Sequence, residues 1–483
     1  MNAHAMPTVI RLNVTPDGQL TDECGTSPTI ETGDHWYVLC APEDSLQPDF
    51  TSSLLRQAAQ RRDIGVFYCD VLCGRQGDAN GFLDLKPEFD LTLLIAQDYI
   101  GLPIAVQATT LHKLGGTHIR HGSAASYELL LRALDVGVGC ARIPETLVTR
   151  PERLEASALP QRKTALQEWL IRSGNQFDLR SGRVDGTLQL VRRFKSLPEV
   201  TLVVPTRQSR PVSAPGAATT RKPFIVDLLD SISRLDYPMD RIQVIVGDDV
   251  EDGTIYQAGN WPFELQRIVT CRTSGEKFNY AAKMNLLWRA SQTNQIVFMN
   301  DDITTESRDW LQALLTFSMQ EDVGGAGARL LYPNGTIQHA GIAGGLFGVC
   351  AHAWLGMPSD APTYQNWAEV HREWSIVTGA VFATRRSLME EINGFDERLT
   401  LEFNDVDLCL RLRMLGYRIV YTPFAELVHH EKASRGETLP PASELALFLN
   451  RWQVFLQNDP SYHPGLTRNS FAIAPSPVLR HTT

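Results

Sequence analysis

Residues 241–302 read RIQVIVGDDVEDGTIYQAGNWPFELQRIVTCRTSGEKFNYAAKMNLLWRASQTNQIVFMNDD and carry the clearest fold signal in the chain. Two apolar runs, QVIVG at 243–247 and QIVFM at 295–299, have the length and β-branched content of buried strands. Between them, residues 277–292 have apolar side chains at helical spacing. Strand–helix alternation of this kind predicts a mostly parallel sheet with helices on both faces.

The alternation of strand and helix continues on either side of this stretch. Residues 199–206, EVTLVVPT, predict an earlier strand, and residues 223–235 and 309–320 have the spacing of helices. In open parallel sheets, ligands bind outside the carboxyl ends of the strands. Since the strands predicted at 243–247 and 295–299 are each followed by acidic residues, we expect an α/β fold with an acidic binding edge.

Three acidic groups stand at predicted strand or helix ends. They are Asp248 with Asp249, Asn300 with Asp301 and Asp302, and Asn404 with Asp405 and Asp407. Carboxylate oxygens are hard ligands that suit Mg²⁺ or Mn²⁺, and at a strand end they can hold such a cation between themselves and phosphate groups. The pattern therefore indicates a divalent-cation site for a phosphorylated substrate.

Two of the three acidic groups also have a purely structural interpretation. Aspartate favours turns at strand ends, which accounts for Asp248 and Asp249 without any ligand. Asn404 and Asp405 are typical of a helix N-terminus. Asp407 and Arg411, four residues apart, have the spacing of an exposed ion pair on one helix, although structural support of the helix start is the favoured role for both.

The composition argues against several classes of protein. Acidic residues outnumber basic ones by 55 to 45, giving a formal net charge of -10, which does not favour nucleic-acid binding. No apolar run approaches the ~20 residues that span a bilayer. The N-terminus lacks the charged and apolar regions of a signal peptide. With eight scattered cysteines that lack zinc-ligand spacing, we expect a cytoplasmic protein with reduced thiols.

Breaks in composition divide the chain into four predicted segments. A polar stretch at 151–198, interrupted by Gly and Pro, contains one helix and separates an N-terminal region at 1–150 from a main domain at 199–436. Residues 437–483 form a tail with one helix. For that helix, packing on the main domain is favoured over contact with lipid.

The N-terminal region repeats part of the main domain. SYELLLRALDVGVGCARIPETLVTR at 126–150 aligns with DVDLCLRLRMLGYRIVYTPFAELVH at 405–429 at a constant offset of 279 residues (405 − 126). Gene duplication is the simplest explanation. Further upstream, at a different offset, PEDSLQPDFTSSLLRQAAQRRDIG at 42–65 echoes NDDITTESRDWLQALLTFSMQEDVGG at 300–325. A copy of the first half of the main domain is not expected, because too few residues precede this upstream segment.

Nine short motifs follow one another in the main domain: VVPT, VIVGDDVEDGT, FNYAAKMN, FMNDD, RLLYPNGTIQHAG, VTGAVFATRRS, INGFDERL, FNDVDLCLRLRMLGYR and ELVHHEKASRG. Together they resemble the family 2 glycosyltransferases with the GT-A fold, particularly bacterial enzymes that assemble cell-surface polysaccharides, rhamnosyltransferases among them. The resemblance implies a GT-A nucleotide-diphospho-sugar transferase domain, preceded by a partial, degenerate copy of the same fold.

The resemblance also implies roles for individual residues. Asp405 would be the general base, and Asp302 with His429 would hold Mg²⁺ or Mn²⁺. The residues expected to bind the substrates are Pro205, Thr206, Asp248, Asp249, Lys283, Asp301, Thr378, Gly379, Ala380 and Asn404. Among these, Asp248 would contact the nucleobase and Lys283 would reach the diphosphate.

Some positions depart from the family pattern. Asn300 replaces the first Asp of the usual Asp-x-Asp motif, and Asn404 replaces the usual Glu before the base, so each change removes a negative charge. In the N-terminal copy, Ser126 replaces the base, Arg150 replaces His429, and Asp44 aligns near Asp302. We therefore expect this copy to be inactive.

The expected reaction is an inverting transfer of a sugar from dTDP-rhamnose or a UDP-sugar to a hydroxyl of a growing polysaccharide or lipid-linked oligosaccharide. Peripheral contact with the inner face of the plasma membrane is compatible with such an acceptor. The competing hypothesis is a non-catalytic scaffold or glycan-binding subunit of a polysaccharide-assembly complex. A nucleotidyltransferase is less favoured, because residues 207–223 are a poor match to a glycine-rich basic phosphate loop.

Overall fold

The computed structural model describes residues 7–74, 81–116, 120–152, 159–211, 221–257, 259–272, 277–305, 307–430 and 440–476. The loop expected after His430, with Ser434, and most of the Pro- and Ala-rich stretch at 207–223 lie outside these residues. The chain forms two compact units. The first comprises Met1–Leu190, His463–Leu466 and Pro475–Thr483, and the second comprises Val191–Tyr462 and Thr467–Ala474.

The first unit is built on one main sheet with short helices. Its strands are β1 (Thr8–Val14), β2 (Leu20–Thr21), β3 (His35–Cys40), β4 (Ser45–Leu46), β5 (Ile64–Cys73), β6 (Phe82–Asp84), β7 (Ile104–Gln107), β8 (Gly139–Arg150), β9 (Phe177–Ser181) and β10 (Leu188–Arg192). Its helices are α1 (Phe50–Gln60), α2 (Leu91–Ala96), α3 (Ala108–Lys113), α4 (Ala125–Asp135) and α5 (Leu159–Arg172).

The second unit alternates strands and helices more regularly. Its strands are β11 (Val200–Thr206), β12 (Ile242–Asp248), β13 (Glu264–Val269), β14 (Gln295–Met299), β15 (Ile303–Thr304), β16 (Val323–Leu331), β17 (Ile337–His339), β18 (Ile342–Gly344), β19 (Cys350–His352), β20 (Arg372–Glu373), β21 (Val381–Arg385) and β22 (Arg418–His429). Its helices are α6 (Phe224–Ile232), α7 (Thr254–Gln257), α8 (Tyr280–Ala290), α9 (Trp310–Ser318), α10 (Arg386–Glu391), α11 (Asn404–Met414) and α12 (Ala442–Gln457).

The sheet of the second unit confirms the predicted α/β class and places the binding edge. Its strands lie in the order β13-β12-β11-β14-β21-β16-β22-β15. The pairings β13–β12, β12–β11 and β11–β14 are parallel, whereas β21 runs antiparallel to both of its neighbours. Because parallel strands end at the same edge, the residues after β11, β12 and β14 converge there. Thr206 and Asp248 are direct register partners at that edge.

The sheet of the first unit repeats most of this topology. In its order, β2-β1-β3-β7-β5-β8-β4, every pairing from β1 to β4 has the same direction as the corresponding pairing from β11 to β15. The β5–β8 and β16–β22 pairs also share their register. Gly139 and Arg142 of β8 occupy the same positions in their pair as Arg418 and Tyr421 occupy in theirs, at the offset of 279 residues (418 − 139, 421 − 142). This agreement supports duplication.

The structure corrects one detail of the expected repeat. Strand β1 pairs with β3 in parallel, as β11 does with β14, so the first strand of the main domain does have a counterpart. The short antiparallel strand β2 borders β1 where the second unit has β12. The part without a counterpart in this sheet is therefore the edge formed by β12 and β13.

Helix α12 packs on the second unit, as the sequence predicted. Its buried side chains are Glu444, Phe448, Trp452 and Leu456, spaced four residues apart along one face. Over the part of the chain that the structure describes, none of the helices is both long enough and apolar enough to cross a bilayer.

Candidate active site

A cleft of about 950 Å³ opens at the carboxyl edge of the sheet of the second unit. Every predicted site residue except Asp248 lines this cleft. These residues are Pro205, Thr206, Asp249, Lys283, Asp301, Asp302, Thr378, Gly379, Ala380, Asn404, Asp405 and His429. Its volume lies within the range of ligand pockets in proteins.

One wall of the cleft is formed by residues that follow β11 and β12. The Lys283 ammonium on α8 donates to Asp249 Oδ1 at 2.8 Å and to the backbone oxygen of Thr206 at 3.1 Å. Thr270 also donates to Asp249 Oδ1, at 2.7 Å. Desolvation is the largest influence on Lys283 and lowers its pKa below the ordinary value, although the nearby carboxylates oppose this effect. This wall therefore presents a paired cation and carboxylate.

The structure does not bring Asp248 into the cleft. Its side chain is fully buried, and its Oδ2 accepts hydrogen bonds from Gln208 at 3.0 Å, Tyr256 at 3.1 Å and Arg267 at 2.9 Å. Consecutive side chains on an extended strand point to opposite sides, so one of Asp248 and Asp249 must face away from the cleft. Asp249 is the one that lines it.

The acidic group after β14 lies against His429. Strand β15 pairs with β22 so that Ile303 and His429 are register partners, which sets Asp302 Oδ1 at 3.2 Å from His429 Nε2. The Asn300 side-chain nitrogen lies 3.3 Å from the same ring atom. Sequence reasoning placed these residues at one site, and the structure brings them together.

The carboxylate of Asp301, the residue before Asp302, is held by Thr206. The Thr206 hydroxyl donates to Asp301 Oδ2 at 2.5 Å. Desolvation, together with the charge of Asp302, raises the pKa of Asp301 to about 7 against the opposing effect of the Thr206 hydrogen bond. Two adjacent carboxylates in an enclosed site favour a cation beside them.

The structure also limits what these side chains can do alone. Among the described residues, no group of three or more His, Cys, Asp or Glu side chains is arranged to hold a metal ion. Asp302 and His429 could thus supply only part of the ligands of a divalent cation. Mg²⁺ sites in proteins commonly use one or two carboxylates, with substrate phosphates and water completing the coordination.

Asp405 faces the cleft from the first turn of α11. Its Oδ2 accepts from the backbone amide of Gly379 at 2.8 Å, and its Oδ1 accepts from the amide of Val406 at 2.8 Å. A Cβ added at Gly379 would lie 3.0 Å from the Cβ of Asp405. Glycine at 379 therefore permits the close approach that fixes the carboxylate.

We expect Gly379→Ala to lower turnover by roughly 10-fold or more, because displacing a reacting group by about 1 Å can cost ~100-fold. Binding of nucleoside diphosphate should change little, since Gly379 contributes only a backbone amide beside Asp405. Steady-state kinetics and calorimetry of the variant would measure both quantities. As a control, Gly335→Ala, outside the cleft and with nothing within 4 Å of an added Cβ, should leave turnover unchanged even though Gly335, unlike Gly379, has positive φ.

The Asp407 side chain is buried and has a structural role. Its carboxylate is fully buried and accepts from Arg411 at 2.7 Å, from Arg451 at 2.5 Å and from the Trp452 ring at 2.9 Å. The interpretation of Asp407 and Arg411 as an exposed pair is wrong for this reason. Sequence reasoning missed Arg451 and Trp452 on α12 as partners of Asp407. They follow the buried Phe448 by three and four residues, a spacing that places them on or near the same helical face.

Two further buried side chains, His339 and Trp374, are packing residues. His339 is fully buried, its Nδ1 lies 3.1 Å from His352 Nδ1, and burial holds its pKa well below the ordinary value. Trp374 is also fully buried, against Gly341. His352 lines the cleft, whereas His339 and Trp374 do not.

The first unit has an ion pair where the second has its acidic group and histidine. Arg150, the counterpart of His429, donates to Asp44 through Nε at 2.6 Å and Nη2 at 2.9 Å. By strand register, the counterpart of Asp302 is the exposed Glu43, one residue before Asp44. A buried guanidinium thus stands beside the carboxylate.

Comparison with known proteins adds independent information. The model of a family described as "Glycosyltransferase like family 2" matches residues 198–453. The chain is 28% identical over 446 residues to the O-antigen biosynthesis protein RfbC of Myxococcus xanthus, covering 88% of this chain and 33% of that protein. It is 27% identical over 479 residues to the uncharacterized protein y4gI of Sinorhizobium fredii (strain NBRC 101917 / NGR234), covering 95% of this chain and 51% of that protein.

A shorter match concerns a rhamnosyltransferase. The chain is 34% identical over 127 residues to an N-acetylglucosaminyl-diphospho-decaprenol L-rhamnosyltransferase of Mycobacterium tuberculosis (strain ATCC 25618 / H37Rv), covering 26% of this chain and 41% of that protein. The chain thus spans about half or less of the length of each of these relatives.

Proposed function

The chain belongs to the glycosyltransferase like family 2; from this premise, we propose that it is a glycosyltransferase of the GT-A fold, whose second unit performs an inverting, metal-dependent transfer with Asp405 as the base. The observation that carries the proposal is the convergence, in one cleft, of Asp302, His429 and Asp405 from distant parts of the sequence. Asp302 follows β14, His429 ends β22 and Asp405 lies in the first turn of α11, so three separate elements bring these side chains to one cleft.

The donor diphosphate binds at the carboxyl edge of the sheet. Lys283 and Thr206 form the wall nearest β11, and Asp249 offers a carboxylate acceptor there. We assign the donor to the dTDP- or UDP-sugars, in line with the shared motifs and with the rhamnosyltransferase relative. The acceptor is a hydroxyl of a polysaccharide or lipid-linked glycan, as the name of the O-antigen relative suggests. Such an acceptor fits the cytoplasmic face of the plasma membrane.

Asp302 and His429 fit a divalent cation. They present one oxygen and one nitrogen donor 3.2 Å apart. Beside them lies a second carboxylate, Asp301, whose pKa is raised by burial and by the like charge of Asp302. When bound, Mg²⁺ or Mn²⁺ would offset the negative charge of the departing nucleoside diphosphate. The chain's own residues orient the phosphates and keep the carboxylates in place.

Asp405 removes the proton from the acceptor. The acceptor oxygen forms a bond to the anomeric carbon, the bond from that carbon to the diphosphate oxygen breaks, and the hydroxyl proton passes to the Asp405 carboxylate. A single displacement of this kind inverts the anomeric configuration. The amide of Gly379 holds one carboxylate oxygen of Asp405, so the base is oriented before the acceptor arrives.

Nucleotide binding in the presence and absence of metal tests this proposal. We expect calorimetry to detect binding of UDP or dTDP with Mn²⁺ and loss of at least ~10-fold in affinity with EDTA, because the phosphates and the protein share the cation. Asp302→Ala should remove the metal dependence. Asp240→Ala, at an exposed carboxylate of the same unit, is the matched control. Metal-independent binding by the unmodified protein, or normal metal-dependent binding by Asp302→Ala, would contradict the metal site.

A further inference from the structure

Helix α12 touches the loop and helix that carry Asp405. Glu444, Phe448, Arg451 and Trp452 lie on or near one face of α12, at helical spacing. The side chain of each contacts either the loop at 400–403 or Asp407 on α11. Since none of the four lines the cleft, their contribution to it is indirect.

Glu444 binds the backbone of the loop just before the base. Although it is an ionisable residue, Glu444 is only 4% exposed. Its Oε2 accepts from the amides of Leu401 at 3.2 Å and Glu402 at 2.9 Å, and its Oε1 accepts from the hydroxyl of Thr400. Hydrogen bonds from backbone amides to a carboxylate are charge-assisted and stronger than neutral ones.

Phe448 supports Phe403, a strained residue two positions before Asp405. Phe403 has φ of 59°, in the left-handed region that residues with a side chain rarely adopt. Its ring stacks on Phe448 with a centroid separation of 4.4 Å and an interplanar angle of 7°. A conformation of this kind persists only where surrounding contacts fix it, and strained residues cluster at functional sites.

Arg451 and Trp452 hold the other end of the same segment. Both donate to Asp407 Oδ1, one turn beyond the strained residue, at 2.5 and 2.9 Å. Asp405 therefore lies between two anchors that come from a single helix. Rotation of α11, or a shift of the loop, would break contacts at one anchor or the other.

We infer that α12 is a positioning element for the general base and that Glu444 is its principal positioning residue. The inference rests on the proposed role of Asp405. By satisfying the amides of the loop at 401–402, Glu444 fixes the path of the chain into α11 and so the direction of the Asp405 carboxylate. Its removal changes the orientation of the base rather than the affinity for the donor.

We expect Glu444→Ala to lower kcat by about 10- to 100-fold with the KM for the donor unchanged, as displacement of a reacting group by ~1 Å does. Glu444→Gln, which keeps one acceptor oxygen, should recover part of the loss. Turnover is measured as nucleoside diphosphate released from dTDP-rhamnose, UDP-glucose or UDP-N-acetylglucosamine with Mn²⁺. Val454→Ala, at a residue of α12 that is 76% exposed, should retain full activity.

Hydrogen exchange gives a readout that does not depend on turnover. In Glu444→Ala, the amides of Leu401 and Glu402 should exchange faster, whereas the amides of β11 and β14 should keep their protection. A residue with a merely structural role would lower the unfolding temperature but leave kcat per folded molecule unchanged.

The outcomes separate this inference from the proposed function. Unchanged kcat in Glu444→Ala, or a loss confined to the KM of the donor, overturns the positioning role while the function stands. Faster exchange throughout the second unit also overturns it, since the effect is then global. If the unmodified protein neither binds UDP or dTDP with Mn²⁺ nor releases nucleoside diphosphate, the proposed function fails and this inference fails with it.

Discussion

Asp405→Asn is expected to lower kcat by about 10²- to 10⁴-fold, the range that general-base catalysis contributes in enzymes. Asparagine keeps the shape of the side chain and can still accept the hydrogen bond from Gly379, but it cannot take a proton at neutral pH. Affinity for UDP or dTDP with Mn²⁺ should stay within ~2-fold, because Asp405 and the proposed metal ligand Asp302 belong to separate elements of the site.

The matched control for this prediction is Glu402→Gln. Glu402 also lines the cleft, three residues before Asp405, so its carboxylate would be the competing base on the same segment of the chain. We expect its loss of kcat to be much smaller than that of Asp405→Asn. The reverse order of effects would reassign the base, and near-normal turnover of both variants would exclude a carboxylate base in this loop.

Arg150→Met is expected to destabilise the first unit by about 3–5 kcal/mol, the usual result of removing one partner from a buried ion pair. Arg150 and Asp44 are both buried, and their two hydrogen bonds of 2.6 and 2.9 Å join residues that are 106 apart in sequence. Methionine retains much of the volume but leaves the Asp44 carboxylate without its cation. Urea unfolding, monitored by hydrogen exchange in β5 and β8, would measure the loss of stability.

The double variant Asp44→Asn with Arg150→Met tests the cause of this loss. Asparagine carries no charge and can still accept the hydrogen bond that Ala41 donates to Asp44. If the uncompensated charge is responsible, the double variant should recover most of the stability. Equal destabilisation of the single and double variants would attribute the effect to packing of the Arg150 side chain instead.

Much of the fold could be predicted because its signals are local. The apolar runs at 243–247 and 295–299 became the buried strands β12 and β14, and the spacing at 277–292 became α8. The duplication was visible as a constant offset and is matched by the register of β8 and β22. Such features depend on the order of residues within one segment, which the sequence states directly.

The candidate site was predictable only in outline. Strand ends place carboxylates at one edge of a sheet, but which of two consecutive aspartates faces the ligand depends on the strand's orientation. Asp248 was expected to contact the nucleobase, yet it is buried under Arg267, a residue that lies on the neighbouring strand. The roles of Asp302, His429 and Asp405 remain predictions for the variants above to test.

The sequence by itself determined the α/β class, the family and the residues that gather at the edge of the sheet, because periodicity and motif order are properties of contiguous segments. The tertiary structure decided that α12 supports the loop before Asp405 and that Arg150 pairs with Asp44. Glu444 meets its partners 42 to 44 residues away, and Arg150 meets its partner across 106 residues. Contacts at such separations are set by the packing of whole elements, which no local pattern specifies.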